Sequence, residues 1–158
     1  MDNRNITNLN TATASPGSDA LRVRLVSGVP NMQASSLNSR HTLDIGCWNV
    51  RTLLDPCRQA LLARELWDYK VDVACLSEVR LPDSGTRKIN VPQEDSAYVL
   101  LHSGSQTNTG LRGVAISMTK EVHNTLLAFE PISEWIVTAR FKGTIANMYL
   151  VTVYAPTL

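Results

Sequence analysis

Asn49 and Glu78 are two polar residues that each follow an apolar run typical of a buried β-strand. The residues between the two runs have a helical pattern, and the spacing of 29 positions matches the roughly 30 residues of a strand-helix-strand unit. Because such units are almost always right-handed parallel crossovers, both side chains should emerge at the carboxyl edge of one sheet. An amide and a carboxylate at this edge suit a hard cation such as Mg²⁺.

The same residues also have ordinary structural interpretations. Glu78 could be a solvated acid at a strand end that pairs with Arg80 or Arg51, and Asn49 could start a turn. The two arginines could hold a phosphate group in a bidentate manner, or they could be surface charges. Position along the chain leaves these alternatives open.

The elements that must position these residues are two strands and a helix. Residues 42–50 and 71–77 predict strands that are apolar on both faces and therefore buried from both sides. Asp55 followed by Pro56 predicts an N-cap and the first helical position. The helix should cover the sheet with an apolar stripe of Leu62, Leu66 and Tyr69.

Four further strands are predicted downstream, at residues 98–102, 113–118, 132 or 135 to 141, and 144–154. The segment that starts at residue 81 should be an irregular connection, and Lys142-Gly143 should form a tight hairpin turn in which the glycine has a positive φ. One strand-helix-strand unit followed by antiparallel hairpins predicts an α/β fold with a mixed sheet.

The composition limits the class of protein. The 158 residues include 44% hydrophobic residues and carry a net charge of +1, which supports a packed domain without the basic excess of many nucleic-acid-binding proteins. Three cysteines without CxxC spacing argue against a disulfide framework or zinc site, and Cys47 and Cys75 should be small buried core residues. Because we find no secretory or membrane-spanning segment, we expect an intracellular location, nuclear or cytoplasmic.

The polar composition of residues 1–40 predicts a disordered tail, and residues 41–158 should form the domain. Within the tail, residues 21–26 alternate between apolar and polar side chains. This alternation indicates either a short edge strand or an incidental pattern.

A third segment also ends an apolar strand with a functional group. Tyr154 follows this run and precedes Pro156, and its hydroxyl could donate a hydrogen bond to a phosphate, or its ring could only pack. Four segments of the chain have the sequences TLDIGCWNVRTL, DVACLSE, RGVAI and VYAPT. Together they resemble the endonuclease/exonuclease/phosphatase superfamily, which has the deoxyribonuclease-I-like fold. The closest resemblance is to the endonuclease domain of non-LTR retrotransposons and of host proteins derived from them.

The resemblance implies the N-terminal part of a four-layered α/β sandwich that hydrolyses DNA phosphodiesters with Mg²⁺. By this resemblance Glu78 would bind the metal, Asn49 would organise the metal and phosphate, and Tyr154 would bind the scissile phosphate. Gly113 would be structural. Val79 departs from the threonine that is common in the family after the glutamate, which puts the support of the metal ligand in doubt.

The family's remaining catalytic groups have no counterpart in this sequence. They include a water-orienting aspartate and a terminal Asp-His pair, and His41, His102 and His123 do not match that pattern. We therefore expect a catalytically incomplete fragment of an endonuclease, or alternatively a non-catalytic interaction or nucleic-acid-binding remnant; a phosphomonoesterase is a more distant match. An incomplete sandwich should also expose an apolar sheet face and self-associate through it.

Overall fold

A computed structural model describes residues 19–23, 37, 42–107 and 110–155. These residues form a mixed α/β fold with two sheets and two helices. In chain order the elements are β1 (Asp19–Val23), β2 (Leu43–Asn49), α1 (Pro56–Asp68), β3 (Val73–Ser77), β4 (Ser84–Asn90), β5 (Ala97–Ser103), β6 (Val114–Thr119), α2 (Lys120–His123), β7 (Leu126–Ser133), β8 (Ile136–Phe141) and β9 (Met148–Val153).

The larger sheet is mixed, as predicted. It has six strands in the order β1-β2-β3-β6-β5-β4, and β2 and β3 run parallel while the other neighbours run antiparallel. A second, antiparallel sheet has the order β7-β8-β9. This architecture confirms the predicted α/β class and is consistent with an incomplete α/β sandwich.

Helix α1 forms the crossover between the parallel strands. The Asp55 side chain caps its first turn by accepting a hydrogen bond of 2.9 Å from the backbone N–H of Cys57, and Pro56 occupies the first turn, as predicted. Leu62 and Leu66 are buried, as the apolar stripe indicated. Tyr69 is exposed instead, because the helix ends at Asp68 and Tyr69 serves as its C-cap.

Two hydrophobic clusters lie on opposite faces of the larger sheet. One fills the space beneath α1, and the other lies between the two sheets. The second cluster corrects the expectation that the larger sheet would expose an apolar face, because β7, β8 and β9 cover that face. Its buried members include Val73, Leu101, Ile116 and Met118 on the larger sheet and Val137, Ala139 and Phe141 on the smaller one.

Two strands were not predicted. Strand β4 occupies part of the segment expected to be irregular. Its sequence has no apolar alternation that would predict a strand, because Ile89 is its one buried residue and the other side chains of this edge strand are small or polar. Strand β7 pairs with β8 despite Pro131, and register shifts between Leu126 and Ala128 and between Pro131 and Ser133 break the alternation that sequence patterns detect.

The predicted turn at Lys142-Gly143 is wrong. The structure has a longer connection from residue 142 to residue 147, and Gly143 does not have a positive φ. A glycine is nevertheless required there, because a Cβ atom would collide with the carbonyl oxygen of Ala146. Gly143 also forms an isolated β-bridge with Leu37. In this bridge the Leu37 N–H donates a hydrogen bond of 2.8 Å to the Lys142 carbonyl.

Most of the tail predicted for residues 1–40 lies outside the described residues. Within it lies β1, which pairs antiparallel with β2, so residues 21–23 of the alternating segment belong to an edge strand, whereas residues 24–26 lie outside the described residues. Pro156 also lies outside the described residues. In the part of the chain that is described, no helix has the length and apolar character needed to cross a membrane.

The prediction that both strand cysteines are buried is correct for Cys75 and wrong for Cys47. Thr152 of β9 contacts the Cys75 thiol, so the edge of the second sheet covers β3 at this level. Cys47 lies on the neighbouring strand and is exposed. The hydrogen bond with Cys47, and secondly burial, raise the pKa of the Cys75 thiol.

We expect the chain to self-associate through β9. On the outer face of this edge strand Tyr149, Val151 and Val153 are 67%, 56% and 61% exposed, and the strand contains no charged residue that would oppose pairing with another strand. Light scattering during size-exclusion chromatography should give a mass above that of one chain. V151K should shift the population towards monomers, whereas the matched control T86K, on an exposed position of β4, should not. A wild-type chain that stays monomeric over a hundredfold concentration range would contradict this prediction.

Candidate functional site

The exits of β2 and β3 lie next to each other, as the sequence predicted. Asn49 and Ser77 are register partners on the two parallel strands, and the N–H of Val50 donates to the Ser77 carbonyl at 3.1 Å. Glu78 follows immediately and turns its side chain towards Asn49. The crossover therefore brings the predicted amide and carboxylate together at one sheet edge.

The Glu78 carboxylate is the centre of a hydrogen-bonded cluster. Its Oε1 atom accepts from Asn49 Nδ2 at 2.8 Å and from the Tyr154 hydroxyl at 3.0 Å. Its Oε2 atom accepts from the Arg80 guanidinium at 3.2 Å. Arg51 joins through its backbone N–H, which donates to Asn49 Oδ1 at 3.2 Å. The structure thus gathers all five residues named from the sequence, and their chemical roles remain predictions.

The cluster keeps the carboxylate ionised. The hydrogen bond from Asn49 lowers the pKa of Glu78 below its ordinary value of 4.5, and Tyr154 and Arg80 add to this effect while burial opposes it. The same interaction acts in reverse on the phenol, because the hydrogen bond to Glu78 raises the pKa of Tyr154 above 10.0. At neutral pH the site therefore contains a carboxylate, a protonated phenol and a guanidinium.

The backbone at the site is strained. Arg51, Glu78 and Arg80 have φ angles of 55°, 56° and 57°, in the left-handed region that non-glycine residues rarely adopt. Such conformations cost on the order of 1 kcal/mol or more each, and they persist where surrounding contacts hold them. Three of them at two adjacent strand exits indicate that the loop conformation serves the arrangement of side chains.

Gly113 supports this loop from the neighbouring strand, which agrees with its predicted structural role. Its φ of 122° is unfavourable for any other residue, and a Cβ atom would lie 2.9 Å from Val79 Cγ2. Its carbonyl accepts the N–H of Val79 at 3.1 Å. The fully buried Val79 side chain thus anchors the turn between Glu78 and Arg80.

Sequence reasoning missed the residues that hold Tyr154. The Trp135 ring stacks on the Tyr154 ring with centroids 5.7 Å apart, and the Arg112 guanidinium lies 4.6 Å from the centre of the Trp135 ring. Glu134 fixes this guanidinium with an ion pair of 2.9 Å. Trp135 could have been suspected, since it is an aromatic residue at or near the start of the predicted strand that ends at residue 141, but no spacing rule connects it to Tyr154.

A polar groove of about 610 Å³ is lined in part by the Arg112–Glu134 ion pair. Its walls include hydroxyl groups of Ser103 and Ser133 and the side chain of Leu111. The groove is open to solvent, and its lining residue Arg112 contacts the Trp135 ring that stacks on Tyr154.

The histidines do not contribute to the cluster within the described residues. His102 is buried in β5, and burial, followed by the charge of Arg87, lowers the pKa of its imidazole. His123 lies at the end of α2, and His41 is outside the described residues. The parts of the chain that the structure describes also contain no group of three or more His, Cys, Asp or Glu residues able to hold a metal ion.

Comparison with known proteins gives a weak relationship. No family model matches the chain. Craniofacial development protein 2 from Bos taurus is 27% identical over 113 residues, which cover 72% of this chain and 18% of that protein. The protein of the same name from Tragulus javanicus is 27% identical over 135 residues, covering 82% and 22% respectively. The chain therefore spans about a fifth of the length of the curated relatives it matches.

We expect a pH-dependent contribution of Glu78 to stability. Because its pKa is lower in the folded chain than the ordinary 4.5, the stabilisation is fully present above that value and is lost as the pH falls through the folded pKa. The difference in free energy of unfolding between wild type and E78Q should therefore be constant near neutrality and shrink below about pH 4.5. Urea titrations across this range measure it, with E130Q on β7 as the control for general acid effects. A difference that does not change with pH would contradict the prediction.

The strain at Arg80 can be measured separately from its charge. R80G and R80A both remove the guanidinium, but only glycine relieves the positive φ, so R80G should be more stable by about 1 kcal/mol. At Arg87, which is an exposed β4 residue without positive φ, the order should reverse, with R87G less stable than R87A by roughly 0.5–1 kcal/mol. Equal stability of R80G and R80A in urea unfolding would show that the Arg80 backbone is not strained.

Proposed function

We propose that Asn49, Glu78 and Tyr154 form the metal- and phosphate-binding half of a Mg²⁺-dependent phosphodiesterase site that acts on DNA. The observation that carries this proposal is the meeting of two donors from different sheets on one carboxylate oxygen, Glu78 Oε1. A solvated acid at a strand end needs only one partner, and Arg80 already supplies it. The additional donors argue for a carboxylate held in one orientation.

The donor set is compatible with Mg²⁺. This ion usually keeps several water ligands and binds proteins through one or two carboxylates together with a substrate phosphate. Glu78 would provide the carboxylate and Asn49 would orient it. When bound, the ion would neutralise charge on the phosphate and its leaving oxygen.

The chain's own residues would bind the phosphate. Tyr154 retains its proton at neutral pH, and its single O–H donates to Glu78 in the structure, so the hydroxyl would turn from Glu78 to donate to a phosphate oxygen. The Arg80 guanidinium retains donor capacity, because it has five N–H groups and its bond to Glu78 uses only one of them. Arg51 is exposed at the same edge and adds positive charge. Because the strained turns fix the backbone of Arg51, Glu78 and Arg80 before a ligand arrives, phosphate binding would require little backbone reorganisation there.

Water activation is the step for which the described residues offer no group. The groups that hydrogen-bond to the Glu78 carboxylate in the described parts of the chain are an amide, a guanidinium and a phenol, and none of these is a carboxylate or an imidazole. Each missing electrostatic or proton-accepting group typically costs about 10²–10³ in rate, so we propose that this chain alone hydrolyses DNA slowly or not at all. The same observation favours a second candidate, a non-catalytic nucleic-acid-binding remnant of such a domain.

The resemblance of four sequence segments to the endonuclease/exonuclease/phosphatase superfamily supports DNA as the substrate. The proposal also includes a nuclear or cytoplasmic location. The weak homology with craniofacial development protein 2 extends over 72–82% of the chain, and the name of that protein states no activity. Because the match covers only about a fifth of the length of each relative, the activity of a whole protein of this kind is also a proposal.

Calorimetric titration with Mg²⁺ and a nicking assay on supercoiled DNA test the two candidates. We expect E78Q to weaken Mg²⁺ binding by at least about tenfold, since it removes the charged ligand, and N49A to weaken it by a smaller factor. The exposed-site control E130Q should bind like the wild type. Equal Mg²⁺ affinity of wild type and E78Q would overturn the metal site.

The nicking assay separates the two functions once Mg²⁺ binding is established. Slow Mg²⁺-dependent nicking that disappears in E78Q and Y154F supports the phosphodiesterase. Mg²⁺ binding and DNA retention without nicking, even at high protein concentration, support the non-catalytic candidate.

A further inference from the structure

Cys47 and Cys75 lie side by side beneath the candidate site. They are register partners on the parallel strands β2 and β3, so their side chains point to the same face of the sheet. Neighbouring strands are about 4.8 Å apart, which lies within the range of roughly 4.4–6.8 Å that separates the Cα atoms of disulfide-bonded cysteines. The two thiols already contact each other through a hydrogen bond.

The two thiols differ in their access to solvent. Cys47 is exposed, whereas Cys75 is 8% exposed and is covered by Thr152 of β9. A reagent in solution can therefore reach Cys47 first, and Cys75 is the thiol positioned to react with a modified Cys47. Cys57 is also exposed, but it lies in the first turn of α1 and is not a register partner of either residue.

We propose that Cys47 and Cys75 form a reversible disulfide that cross-links β2 to β3. The pair works as an attacking and a resolving thiol towards a small disulfide such as oxidised glutathione. This inference is independent of the proposed function, because it requires only the strand register and the difference in exposure.

The reaction proceeds in two exchanges. The Cys47 sulfur attacks one sulfur of glutathione disulfide, forming a protein–glutathione mixed disulfide and releasing one glutathione, which takes the Cys47 proton. The Cys75 sulfur then attacks the Cys47 sulfur and releases the second glutathione, which takes the Cys75 proton. Two protein thiols are oxidised to one disulfide, and one glutathione disulfide is reduced to two glutathione molecules.

The bond would fix the strands immediately before the exits that carry Asn49 and Glu78. It would close a loop that contains α1, and a loop of this length typically raises the melting temperature of a domain of this size by roughly 5–10 °C. The oxidised chain should therefore melt at a higher temperature than the reduced chain, with the difference removed by dithiothreitol.

Peptide mapping provides a direct test, since trypsin places the three cysteines in separate peptides: residues 41–51, 52–58 and 71–80. The folded full chain is equilibrated with oxidised and reduced glutathione, its remaining thiols are alkylated, and the digest is analysed by mass spectrometry. We expect peptides 41–51 and 71–80 to be joined in oxidising mixtures, and C57S to leave this product unchanged.

Two further variants assign the order of reaction. The C75S variant should accumulate glutathione on Cys47. In the C47S variant, Cys75 should stay unmodified in the folded chain and become alkylated only after the chain is unfolded. Recovery of peptides 41–51 and 71–80 as separate species in every oxidising mixture would overturn the proposal. So would cross-links to residues 52–58 at the same frequency in the folded chain as in a urea-unfolded control.

Discussion

The parallel pairing of β2 with β3 is the constraint on which the rest of the structure depends. Because the pairing register places Asn49 opposite Ser77, the next residue, Glu78, emerges within hydrogen-bond distance of the amide. A shift of the register by one residue would exchange the β3 residues that face α1 with those that face the second sheet, and it would separate these two side chains. Helix α1 enforces this register by spanning the two strands and burying its apolar stripe against them.

Much of this central unit could be predicted from the sequence. The continuous apolar runs, the Asp55-Pro56 helix start and the spacing of Asn49 and Glu78 each depend on local rules, and these rules agree with one another. The position of Tyr154 next to Glu78 came from resemblance to a family, because residues 76 positions apart share no local pattern.

The remaining features depend on tertiary context that no local pattern carries. The polar edge strand β4 is stabilised by pairing with β5 and has almost no buried face of its own. The exposure of Cys47 depends on how far the second sheet extends across the first. Trp135 is placed on Tyr154 by a backbone hydrogen bond of 2.9 Å between the Tyr154 N–H and the Trp135 carbonyl, which follows from the pairing of β8 with β9.

Because the site is divided between two sheets, its side chains come together at different stages of folding. Asn49 and Glu78 belong to the first sheet, but Tyr154 follows β9, the last strand in the described sequence. A partly folded chain can therefore contain the amide–carboxylate pair while lacking the phenol. Only after the inter-sheet core has closed do all three side chains meet, so assembly of the site reports that the last strand has docked.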